Sequence, residues 1–167
     1  LPAEQYQLTP DALAVTRCVA QQFSEIATIG TYTGHDPDLT RAVDIMIPHY
    51  RTAEGAAFGW RIAHWLHDNR QALGVQYVIF DAKIWNIDRD QEGWRSYSPG
   101  YTSSVNDSSL HRNHVHVTVS GDAGTFRRLV SGQRGVRGLP HGPAPHHRQE
   151  QPGRERGDQL SLTGCQW

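Results

Sequence analysis

Methionine and cysteine are scarce, with one Met and two Cys in 167 residues. Cys18 and Cys165 stand far apart, which makes no disulfide framework and says little about redox compartment. Charge of one sign is also missing. Sixteen Lys and Arg face seventeen Asp and Glu, for a formal net charge of −1. No broad basic surface follows, and nucleic acid is not an expected partner. No apolar run approaches the roughly 18 residues of a membrane span, so none is expected. A signal peptide is not visible, but the chain opens on Leu1, which leaves room for a removed leader or an excised domain. Internal repeats are absent.

What is present suits one domain with a sizeable core. "LTPDALAVTRCVAQQFSEI" predicts a first helix, with Pro10 in the first turn and Asp11 favouring the N-terminus. Gly30 and Gly34 bracket the turn-rich "GTYTGHDPDLT", and "RAVDIMIP" follows as a short strand closed by Pro48. The longest helical stretch is "TAEGAAFGWRIAHWLHDNRQAL", capped by Thr52 and ended by Gly74. "VQYVIFD" and "KIWNI" predict two strands, and the polar segment after them an exposed loop. "NHVHVTV" gives another strand, and "AGTFRRLVSG" a candidate short helix. After Gly132 the chain turns to Gly, Pro, Arg and Gln, with little to bury. Residues 1–132 are thus expected to form the folded domain, and 133–167 a disordered tail in which His141, His146 and His147 are ordinary polar residues. This element order predicts an α+β fold built on an antiparallel sheet, with helices packed on one side.

Alternation in "NHVHVTV" sends Val115, Val117 and Val119 to one face, and His114, His116 and Thr118 to the other. Two imidazoles on one strand face are either solvent decoration or metal ligands awaiting partners. A hydrolytic zinc site needs three protein ligands and one open position. Asp44, flanked by Val43 and Ile45, is placed by the same alternation on the open face of its strand. If the two strands pair, Asp44 and His116 converge on one ion, with His35 reaching in from its Gly-bounded loop. The plainer alternatives are an aspartate satisfied by backbone donors and a loop histidine with no special duty. Trp85, Trp94 and Tyr97 either wall a groove or fill the core. Lys83, Arg41 and Arg51 could receive a substrate carboxylate, and His64 and His67 belong to a helix face.

Taken in order, "TGHDPDLTRAVDIMIP", "YVIFDAKIWN", "GWRSY" and "HRNHVHVTV" resemble the zinc peptidases of the LAS/M15-type superfamily. The similarity is greatest to a D-alanyl-D-alanine carboxypeptidase-like group of actinobacterial secreted proteins and phage lysins, and covers about residues 8–120. The resemblance implies a LAS/hedgehog-like zinc-peptidase fold and a Zn2+ cofactor. It implies His35, Asp44 and His116 as metal ligands and His114 as the catalytic group near the reacting water. Thr33, which opens the S/T-x-H motif, and Trp85 are the expected substrate contacts. Many relatives carry an acidic general base three residues before the last histidine. Asn113 stands there instead, and His114 is the nearest replacement, ahead of His111 and Glu54. The implied activity is hydrolysis of an amide in peptidoglycan stem or cross-link peptides, by a monomer that is secreted or cell-wall-associated. The alternative is a catalytically impaired cell-wall-binding module that retains the metal pocket.

Overall fold

Three valines spaced two apart can be buried together only if their strand keeps one register. Each sealed valine is worth about 1.5–3 kcal/mol, and a one-residue slip would send histidines into the core instead. The computed structural model describes residues 8–32, 41–100 and 105–121. In chain order these form α1 (Pro10–Gln22), β1 (Ile29–Tyr32), β2 (Ala42–Met46), α2 (Ala53–Asp68), α3 (Arg70–Leu73), β3 (Val75–Phe80), β4 (Lys83–Asn86), a 3-10 segment (Ile87–Glu92), β5 (Arg95–Ser96) and β6 (His114–Val119). The strands make one sheet in the order β1-β2-β6-β3-β4-β5, with every pairing antiparallel. The α+β expectation therefore holds, with β6 at the centre of the sheet.

One face of the sheet is the core. Val43, Ile45, Val78, Phe80, Trp85, Val115, Val117 and Val119 are sealed there with Val15, Val19, Ile62 and Leu66 of the helices. The contact is close at Gly59 of α2, where an added Cβ would collide with the Phe80 ring. Thr52 caps α2, its side chain accepting from the Gly55 amide at 3.0 Å. The helix expected over 52–73 is two helices. Asn69 interrupts it at φ −98° and ψ 12°, its side-chain amide donating to the Trp65 carbonyl at 2.8 Å beside its own backbone N–H at 3.1 Å. α3 then ends on Gly74, whose φ of 65° is the left-handed conformation of a helix C-terminus.

Three expectations need amendment. β1 lies inside a stretch that reads as turn, and β5 inside one that reads as loop; both are short edge strands with little apolar alternation. Cys18, sealed within α1, is disulfide-bonded. Among the described residues no helix is long and apolar enough to cross a membrane. The helix expected over 123–132, the boundary at 132 and the tail of 133–167 lie outside the described residues.

Candidate metal centre

The sheet face turned away from the helices carries the polar side chains. Residues 44 and 116 are direct partners across the β2–β6 ladder, so their side chains leave the sheet side by side. His116 Nδ1 lies 2.7 Å from Asp44 Oδ1. An ionised carboxylate only accepts, so Nδ1 carries the proton and donates. His116 Nε2 lies 3.2 Å from the Thr118 hydroxyl. His114 stands two residues away on the same face, with Nε2 3.6 Å from the same Asp44 oxygen. The Tyr77 ring of β3 stacks on His116, with centroids 5.7 Å apart. These groups line a cavity of about 620 Å³, walled by Ile79, Ile84, Tyr97, Pro99 and the Ser108–Ser109 turn.

A third histidine completes the cluster. His111 precedes β6, and its ring centroid is 4.8 Å from that of His114 and 5.3 Å from that of His116. It adopts a left-handed backbone, φ 53°, at a cost of about 1–3 kcal/mol for a non-glycine residue. The β3–β4 hairpin holds it there. Asp81 and Ala82 form a two-residue turn with both φ positive, 45° and 54°. Their outward amides donate to the His111 and Leu110 carbonyls at 2.9 and 2.8 Å. Asp107 braces the same loop, accepting from Tyr50 at 3.1 Å and from the Arg51 guanidinium at 3.2 Å.

The electrostatics favour neutral imidazoles beside a charged carboxylate. Burial pushes Asp44 up, but the His116 hydrogen bond and the nearby histidines outweigh it, leaving its pKa below the ordinary value. Burial, reinforced by repulsion from His114 and His116, lowers His111 from 6.5 to about 4. Burial also lowers His114, with Asp44 opposing the shift and His116 reinforcing it. Neutral imidazole and ionised carboxylate are the forms that bind a metal.

The donor set fits a divalent ion. One ligand atom from each of His111, His114 and His116 falls within 4.8 Å of the others. Zinc ligands about 2 Å from the ion sit within about 4 Å of each other, a spacing small ring rotations reach. Nδ1 of His111 is buried without a hydrogen-bond partner, an arrangement that costs free energy unless something binds there. Three histidines close enough to hold a metal ion are thus present, with Asp44 at their side.

Of the residues singled out by sequence, the fold brings together Asp44, His114 and His116. Thr33 and His35 lie outside the described residues. Trp85 is fully buried, and its indole donates to Asp90 at 2.8 Å. Ile84 takes the cavity face, so its neighbour on the strand points into the helix-side core. Trp94 packs on Trp60 at 5.1 Å and on His64 at 5.8 Å, while Tyr97 does wall the cavity. His67 lies 4.8 Å from the buried Trp85 ring, and Glu54 lines a separate pocket at the start of α2. His111, only a secondary candidate by sequence, is part of the cluster. Its signal is the packing of three histidines into "HRNHVH".

A family model described as VldE, C-terminal domain, matches residues 4–115. No curated protein and no solved structure matches the chain.

Proposed function

The chain belongs to the VldE C-terminal domain family, and within it we propose that this protein is a zinc-dependent peptidase acting on an amide of peptidoglycan stem or cross-link peptides. One observation carries the reading. Asp44 and His116, 72 positions apart in sequence, meet at 2.7 Å on a cavity floor where His111 and His114 also converge. The similarity of the quoted motifs to LAS/M15-type zinc peptidases, and with it a LAS/hedgehog-like arrangement, is part of the proposal. So is the choice of zinc over another divalent ion, which rests on the imidazole-rich donor set.

Asp44 and His116 would hold the ion, together with His35 as the motif resemblance implies or with His111 from the adjacent turn. Bound zinc supplies an acidified water, with a pKa near ~7, and a Lewis acid for an amide carbonyl. Asp44 contributes the negative charge that offsets the ion. Burial lowers the pKa of His114, which favours the neutral ring, the form that can accept a proton. Tyr77, Tyr97, Ile79 and Ile84 give the cavity aromatic and aliphatic walls against which an extended peptide can pack. A disulfide-bonded Cys18 suits an oxidising compartment, in keeping with a secreted or wall-associated protein.

The test is release of free amines from purified cell walls, with and without a chelator. Chelator-sensitive release that disappears in His116→Ala is the expected result. Wall binding without release, unchanged in that variant, would instead establish a non-catalytic binding module.

A further inference from the structure

We propose that Asn113 is a positioning residue that fixes which nitrogen of His114 carries the proton. The inference rests on the reading of the cluster as a metal centre and assigns a role to the residue that stands where an acid was expected. A carboxamide cannot serve as a general base. It can, however, orient an imidazole.

Asn113 is the last residue before β6, and its side chain bridges two groups. Nδ2 donates to Ser108 Oγ at 2.9 Å, and Oδ1 lies 2.7 Å from His114 Nδ1. The anchor is itself held, because the Ser108 and Ser109 amides both donate to Asn106 Oδ1, at 3.0 and 2.9 Å. With the amide in this sense, His114 Nδ1 bears the proton and Nε2 is left with its lone pair. The opposite sense would put N–H on Nε2, facing the charged Asp44. The observed separation is 3.6 Å, beyond a hydrogen bond. The Asn113 contact thus assigns the tautomer, and the separation from Asp44 is compatible with it. Its consequence is that Nε2, beside Asp44, is free to ligate an ion or accept a proton. An N–H in that place could do neither. The partner on the other ring nitrogen is what sets such a tautomer in metal sites generally.

The experiment is 15N NMR of the histidine side chains in the metal-free full chain, at about pH 8, above the ordinary imidazole pKa. The wild-type protein should show His114 as the Nδ1–H tautomer. Asn113→Leu removes the acceptor and should shift His114 toward Nε2–H, whereas Asn113→Asp keeps an acceptor oxygen and should restore Nδ1–H. Should the leucine variant fail to fold, Ser108→Ala frees the amide and should give a mixture of tautomers. Zinc affinity of the wild type, measured by competition with a chelating dye, tests the metal reading separately. Nε2–H in the wild type, or a tautomer indifferent to loss of Asn113 or Ser108, overturns the assignment even if zinc binds. The expected tautomers without zinc binding would instead uphold the positioning and remove the metal reading.

Discussion

The depressed pKa of His111 makes the acid stability of the metal-free protein a direct probe of the cluster. Unfolded, the ring titrates near its ordinary 6.5; folded, burial and two neighbouring histidines hold it at about 4. Between these values the unfolded chain binds more protons than the native one, so acid favours unfolding and stability rises with pH across that window. The contribution is therefore complete above about pH 6.5 and is lost as pH falls toward 4. A tenfold change in proton affinity corresponds to about 1.4 kcal/mol, which sets a ceiling of roughly 3 kcal/mol. His111 is only half-buried, and solvent screening reduces this to about 1–2 kcal/mol. The perturbation is His111→Asn, since asparagine tolerates the left-handed backbone and does not titrate. Urea unfolding in the presence of a chelator, at several values from about pH 8 to 4, should show the wild type losing about 1–2 kcal/mol more than the variant on acidification. Parallel stability curves for the two proteins would refute the buried, neutral state assigned to this ring.

Further outcomes follow from the same contacts. Ala82→Gly places a permissive residue at φ 54° and should raise stability by about 1 kcal/mol, read as an increase in Tm. Trp85→Phe removes the indole donor to Asp90 and leaves space in a fully buried site, and should lower Tm without changing zinc affinity, because the ring sits behind the sheet. Zinc at about 100 times its Kd should stabilise the wild type by about 2.7 kcal/mol, seen as a rise in Tm that vanishes in Asp44→Ala. Alanine variants of His35 and His111, compared for zinc affinity, should separate the motif's ligand from the turn's: the larger loss marks the true ligand, and no loss in either would remove both.

Much of this site is legible in the sequence. The alternation of "HVHVTV" and "AVDIM" fixes which residues share a face, since pleating leaves no choice once the valines are buried. That places Asp44 and His116 on the open faces of their strands, and the pairing of β2 with β6 then sets them side by side. Trp85 is not settled by the same rule, because in "KIWN" both Ile84 and Trp85 are apolar, and only the cavity position of Ile84 sends its neighbour to the core. His111 is not legible to that degree. Its place depends on a left-handed turn gripped by the Asp81–Ala82 hairpin, a contact about thirty residues away that leaves no periodic trace. Asn113 looks like a missing base by position, and its hydrogen bonds to Ser108 and His114 become visible only with the turn geometry. β1 escapes notice because "IGTY" is short, lies at the sheet edge and contains glycine.

Metal content after equilibration with zinc and dialysis bears most directly on the central claim. Elemental analysis should find one zinc per wild-type chain and none in His116→Ala. A wild-type chain that emerges metal-free, or a variant that retains its full complement, would contradict the account.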